Sequence, residues 1–263
     1  MTFAFEEDTA VHPQPDGGYS AEVSDRWSIG GRPNGGYLMG IALTAIFEES
    51  PHPHPLSAAG HFLSPSDPGP ATIQVTILKK GRSVSTAEAV LSQGGRQRLV
   101  LLASLGNLDE QRGPTRSMSA PPALPDDLVS SAGRPAPHPI IERFELLLPV
   151  AQSQVAAGVF DPNQSRAEFS GKIRFIDDMA PTIASLPLMV DAFPPAVFNL
   201  GLIGWTPTIE LTVHMRGRAR GIWQILHVST RQLIDGLLEE DAELWNEDGT
   251  LVAQSRQLAR VLV

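Results

Sequence analysis

Three polar side chains stand where their neighbours are apolar. Asp191 sits in Leu186-Pro187-Leu188-Met189-Val190-Asp191-Ala192-Phe193, a lone carboxylate inside an apolar helical run. If buried, it must be paired or hydrogen-bonded, since an isolated buried charge is costly. The alternatives are an aspartate on the one wet face of the helix, or one accepting a backbone bond near the Pro194-Pro195 break. Gln257 shares one face of the last strand-like run with Leu251, Ala253, Ser255, Ala259 and Val261, a small apolar surface on which an amide needs partners. Arg256 and Arg260 fall on the opposite face and read as solvated charges. Thr208 alternates with Thr206, Glu210, Thr212, His214 and Arg216, against Pro207, Ile209, Leu211, Val213 and Met215. A solvent-facing threonine is therefore a strong rival reading there, with Thr212 next in line if the register is displaced.

Other chemistry is weaker or excluded. His61 and His214 could serve as bases near neutrality, but they occupy matching places in two similar halves, which favours a shared structural role. His52 and His54 lie in the stiff Pro51-His52-Pro53-His54-Pro55 loop, without metal-site geometry. Lys79, Lys80 and Arg82 surround Gly81 at a turn, where they could meet phosphates or simply face water. The loop GGRPNGG precedes a helix but has neither the P-loop nor the dinucleotide pattern of glycines. There is no G-x-S-x-G elbow and no H-E-x-x-H pair, against the hydrolase-elbow and zincin routes. The absence of cysteine removes disulfides, thiolate metal sites and thiol nucleophiles, and suits a reducing compartment.

The elements that must position these residues follow from pattern. The chain has 263 residues, 42% hydrophobic, with 23 glycines and 23 prolines, enough for one large or two modest cores joined by many turns. Residues 107 to 139 hold seven prolines and no apolar periodicity, which reads as a connector. In the first half, Leu38, Ile41, Ala42, Ala45 and Ile46 have helical spacing. Strand-like runs follow over Leu56 to Leu63, Ala71 to Lys79, Ser83 to Ser92 and Gln97 to Leu105. In the second half SLPLMVDAFPPAVFNLG reads as a helix, followed by runs over Thr206 to Arg216, Ile222 to Gln232, Gly236 to Trp245 and Thr250 to Val263. Helix then four strands thus occurs twice at nearly constant spacing, an α+β layout with one long helix per sheet. The first-half positions roughly matching Asp191, Thr208 and Gln257 are Leu43, Leu56 and Leu105, so the polar trio belongs to one half only. A net charge of −9 opposes nucleic-acid and anionic-membrane partners. The start MTFAFEEDTA lacks a basic n-region, and no apolar run approaches spanning length, so a cytoplasmic protein is expected.

That order of elements, with GGRPNGGYLMG, GHFLSPSDPG, LKKGRSVSTAEAVL, LPLMVDAFPPAVF and the closing VAQSRQLARV, resembles acyl-CoA thioesterase II and its thioesterase-like, double hotdog relatives. The resemblance covers nearly the whole chain except the connector. It implies two tandem hotdog units, 1–108 and 140–263, around a Pro-rich connector 109–139, each unit an antiparallel sheet wrapped around a central helix. It further implies hydrolysis of acyl-CoA without metal or cofactor. Asp191 would be general base or water anchor, and Thr208 and Gln257 would position water and thioester, with backbone N–H groups at a helix start in the second unit binding the oxyanion. Lys79, Lys80 and Arg82 are the candidates for the CoA phosphates, and a homo-oligomer is plausible. The rival is a non-catalytic acyl-CoA or lipid binder on the same scaffold. A hotdog hydratase is disfavoured, since no histidine accompanies Asp191.

Overall fold

Two glycines turn the chain into its main helix. The computed structural model describes all residues except 1, 16, 156–158, 160, 162–164 and 263. Gly30 and Gly31 take positive φ (57° and 77°), reversing the chain between the paired segments Ser28–Ile29 and Arg32–Pro33. Asn34 follows as N-cap, its side chain accepting the Tyr37 N–H at 3.0 Å, and helix α1 runs over Gly35–Glu49. From Gly36 to Leu43 no residue of α1 is exposed, beyond the single stripe implied by Leu38, Ile41, Ala42, Ala45 and Ile46. Sheet strands cover one side and a second-half segment covers the other, so apolar residues are needed all round.

The strands of the first half are β1 (Tyr19–Val23), β2 (His54–Phe62), β3 (Gly69–Lys79), β4 (Ser85–Gln93) and β5 (Arg96–Gly106). Those of the second are β6 (Phe144–Pro149), β7 (Ala167–Phe175), β8 (Thr208–Met215), β9 (Gln224–Thr230), β10 (Leu237–Asn246) and β11 (Leu251–Arg260). The eight expected runs are found within a few residues of their expected ends; Val263 lies outside the described residues. Beyond them, β1, β6 and β7 join the sheet. So does Leu128–Ser130, which pairs with β6, so the Pro-rich stretch is not wholly a connector. All belong to one antiparallel sheet, joined where β2 pairs with β8 (Gly60 opposite Leu211). Outward from that junction the order is β2-β5-β4-β3-β1 on one side and β8-β11-β10-β9-β7 on the other. In chain order these are equivalent strands, so both halves have the same topology.

The second half departs from its expected long helix. A 3-10 turn over Ile183–Ser185 leads into helix α2, only Leu186–Val190, and the chain leaves helical geometry at Asp191. Pro194 and Pro195 lack N–H donors and disfavour helix before them. A separate 3-10 turn, Ala196–Leu200, ends at left-handed Gly201. The short α2 packs against α1, β10 and β11. Its backbone touches the start of α1 directly: a Cβ on Gly36 would lie 2.3 Å from the Pro187 carbonyl oxygen. An aromatic cluster of Phe5, Trp27, Tyr37, Phe144 and Phe175 further ties the halves together. Among the described residues no helix is long and apolar enough to cross a membrane.

Gly36→Ala forces that backbone contact apart. Overpacking of this kind costs roughly 1–3 kcal/mol, which for a domain of this size lowers Tm by about 5 °C. Thermal denaturation reads it, and an unchanged Tm would mean that α2 can draw back freely.

Candidate active site

Asp191 ends α2 facing the N-terminal turn of α1. Its Oδ2 accepts from Asn34 Nδ2 at 2.8 Å and from the Gly36 N–H at 3.1 Å, and Asn34 Nδ2 also donates to the Asp191 carbonyl at 3.2 Å. Asn34 therefore caps α1 with one side-chain atom and grips Asp191 with the other. Burial pushes the Asp191 carboxyl up to about 6, against the two hydrogen bonds, which favour the charged form. Both bonds fall on Oδ2; Oδ1 has no hydrogen-bond partner among the described residues.

Thr208 and Gln257 meet directly. The Thr208 hydroxyl donates to Gln257 Oε1 at 2.7 Å. Strict alternation along β8 would turn Thr208 away from the buried face of Leu211, Val213 and Met215, but a bulge lies between Thr208 and Glu210. The extra residue, Ile209, is 41% exposed, and Thr208 pairs with Ala259, on the Gln257 face. Thr212, the fallback, instead donates to Glu210 on its own strand.

A third member of this chain was not among the sequence candidates. Gln257 Nε2 donates at 2.8 Å to Oε1 of Glu240, whose Oε2 accepts the Ala196 N–H. Glu240 is 5% exposed, and burial pushes its carboxyl up to about 7. Its two hydrogen bonds oppose the rise, and the negative charges of Asp191 and Asp241 add to it. The signal is present in the sequence: in β10, Glu240 alternates with Leu238, Ala242 and Leu244, one carboxylate on an apolar face.

Asp191 is thus within electrostatic reach of Glu240 without a hydrogen bond to Thr208 or Gln257. Oxyanion donors are expected at a helix start in the second half; there, the N–H of Ala196, which opens the 3-10 turn, is taken by Glu240. At the start of α1, Gly36 and Tyr37 N–H are engaged, and Gly35 N–H has no hydrogen-bond partner among the described residues. Of the first-half counterparts, Leu43 and Leu105 are fully buried, and Leu56 is half-buried.

Lys79, Lys80 and Arg82 are not brought to this place. They are exposed on the turn between β3 and β4. The ladder level with Gln257 runs through Leu211, Gly60, Leu101 and Ala89 to Val75, and the turn lies beyond it, on the order of 25 Å along the sheet. His61 and His214 are both exposed on the central strands. His54 lies between Arg218 and the Leu108 N–H, and His52 meets the Gly81 carbonyl, so both act in loop packing. No cluster of metal-ligating side chains occurs among the described residues. A groove of about 520 Å³ opens at the other end of α2, lined by Leu186, Ile183, Phe47 and Ala219 among others.

Comparison with known proteins places the chain in a family. Residues 23–106 match the acyl-CoA thioesterase N-terminal domain, and residues 119–261 match the acyl-CoA thioesterase C-terminal domain. A protein of Thermobifida fusca YX provisionally assigned as a thioesterase II is 32% identical in sequence, with a TM-score of 0.88 over 99% of this chain and 98% of that one. A protein of unknown function with a hotdog fold from Alicyclobacillus acidocaldarius superposes with a TM-score of 0.87 at 21% identity, covering 100% and 99% of the two chains. An uncharacterised protein of Mycobacterium tuberculosis is 24% identical over 92% of this chain and 90% of its own length. The sheet is a hotdog-type α+β architecture, and with both halves matched in order, the chain belongs to the acyl-CoA thioesterase family.

Proposed function

We propose that the chain hydrolyses acyl-CoA thioesters to the free acid and CoA, using a water held between Asp191 and Thr208. The observation that carries this reading is the pairing of a half-buried carboxylate, poised near neutrality at the start of α1, with the Thr208–Gln257 bond on the adjoining sheet. Asp191 Oδ1 takes a proton from water as its oxygen bonds to the thioester carbonyl carbon. The carbonyl electrons move onto oxygen, where Gly35 N–H at the positive end of α1 stabilises them. Collapse breaks the C–S bond, and the proton on Asp191 passes to the departing sulfur. A thioester is already activated, so an oriented water and a base, the latter worth roughly 10² to 10⁴, supply the chemistry. The apolar groove beginning at Leu186 offers a place for the acyl chain.

On this reading the architecture is a double hotdog of units 1–108 and 140–263 around connector 109–139, supported by the identical strand order outward from β2 and β8. Among the described residues, only the first unit has a long central helix. A reducing, cytoplasmic setting is supported by the lack of cysteine. Ile203, Trp205, Leu258 and Leu262, each at least 40% exposed, support assembly with a second copy. Asp191 is also a helix-capping group, an observation that favours the rival reading of a non-catalytic acyl-CoA binder.

Release of free thiol from an acyl-CoA chain-length series decides between them; binding with no thiol release at any length would leave only the binder. Asp191→Asn should lower kcat at least tenfold, and wild-type activity should rise with pH through about 6 as Asp191 loses its proton.

The same carboxyl makes folding pH-dependent. Its folded pKa, about 6, lies above the ordinary aspartate value of 3.8, so the stability this group contributes is present at low pH and lost as pH rises through 6. The amide introduced by Asp191→Asn does not titrate, so the Tm of that variant minus that of the wild type should grow more positive from pH 4 to pH 8. A constant difference would mean that Asp191 is not desolvated.

A further inference from the structure

Glu240 has a chemical constraint that its neighbours do not share: both groups it touches are N–H donors. Oε2 faces the Ala196 N–H, which cannot turn, and Oε1 faces the amide of Gln257. An ionised carboxylate only accepts, so the amide must present Nε2 to Glu240 and Oε1 to Thr208. Thr208 has one hydroxyl proton, and it is spent on that Oε1. What Thr208 then offers any third group is a lone pair. Every donor in the row points toward the carboxylate.

We propose that Glu240 is a positioning residue for the thioesterase reaction: its charge fixes the direction of the Gln257 amide and so makes Thr208 an acceptor for the attacking water. The proposal rests on the hydrolytic reading above. A water that donates one O–H to Thr208 and the other to Asp191 is held by both protons, with its lone pairs turned toward the carbonyl carbon. If Glu240 is protonated, its O–H must find an acceptor. The Ala196 N–H offers none, so the proton donates to Gln257 Oε1 after the amide turns over. Nε2 then donates to Thr208, whose hydroxyl proton swings outward. Thr208 becomes a donor, so the water loses its second acceptor: one O–H is unheld, one lone pair is engaged, and the orientation toward the carbonyl carbon is lost.

The surroundings bring this reversal into the working range of pH. Burial raises the Glu240 carboxyl to about 7. From the end of α2 it faces Asp191, from its own strand Asp241, from β11 the neutral Gln257, and from the 3-10 turn only the Ala196 backbone. Asp241 is itself paired with Arg256, and no cation is paired with Glu240 among the described residues.

The test has one reading that needs no turnover. In uniformly ¹⁵N-labelled wild-type protein, the side-chain amide signal of Gln257, assigned by its loss in Gln257→Glu, should shift in a single titration centred near pH 7. In Glu240→Gln that titration should vanish. With a hydrolysed acyl-CoA, Glu240→Gln should lower kcat on the order of ten- to a hundredfold with KM changed less than about twofold. It should also lose the limb of the kcat profile near pH 7 while keeping the one near 6; a merely structural role would lower Tm and leave the profile's shape alone. A Gln257 signal that stays fixed from pH 5 to 9, or a Glu240→Gln profile of wild-type shape, overturns the proposal. Absence of thiol release with every acyl-CoA overturns the hydrolytic reading instead, and the amide titration still decides whether Glu240 sets the direction of the row.

Discussion

The site depends on how closely two backbones approach. Gly36, in the first turn of α1, has no Cβ, and the Pro187 carbonyl of α2 occupies the space that one would need. Because α2 comes in that far, Asp191 at its end reaches Asn34 and the Gly36 N–H. The same seat places α2 against β10 and β11, whose inward side chains include Glu240 and Gln257. A helix start, a carboxylate and a polar row on the sheet are thereby fixed relative to one another by one contact between the halves. Any larger residue at 36 would relax all three together.

Much of the fold was legible because its elements follow simple periods. The helical spacing of Leu38, Ile41, Ala42, Ala45 and Ile46, and the alternating strands after it, fall where expected. The strands that escaped notice, β1, β6 and β7, precede the helices, outside the repeated helix-then-strands pattern. The second long helix failed for a local reason: the apolar run continues past Asp191, but Pro194 and Pro195 cannot, so periodicity outlived the backbone that would carry it. In the site, Gln257 was readable as an amide on an apolar face. Thr208 was not, because a bulge reverses sides without altering composition, and alternation assigned it to the wrong one. Glu240 was hidden by its charged neighbours: in Glu239-Glu240-Asp241 only the pleat distinguishes the inward carboxylate from the outward ones. The basic cluster at Lys79, Lys80 and Arg82 was readable as a turn, and it stands exposed between β3 and β4, away from Asp191 and Gln257.

Two acids without a paired cation, Glu240 buried and Asp191 half-buried, are an unusual pairing, and each is made tolerable by backbone dipoles. Asp191 faces the N-terminal end of a 15-residue helix, where aligned peptide groups amount to about half a positive charge. Glu240 takes the first N–H of a 3-10 turn and an amide. Neutral donors stabilise a carboxylate less than a guanidinium would, which is why both groups are held near neutral pH instead of being locked in the charged form. A salt bridge at either position would have given a more acidic group and a poorer base.

The two topologically equivalent halves that meet at the β2–β8 junction belong to one polypeptide, and this frees the molecule from a rule that binds symmetric dimers. When two identical subunits meet, every residue that serves one site is repeated at the other, so neither copy can specialise. Here Asn34 and Gly36 from the first half serve Asp191 of the second, while the reciprocal place is occupied by core leucines such as Leu43 and Leu105. One candidate centre per chain is the outcome, and the pseudo-equivalent position is left to serve cohesion instead of chemistry.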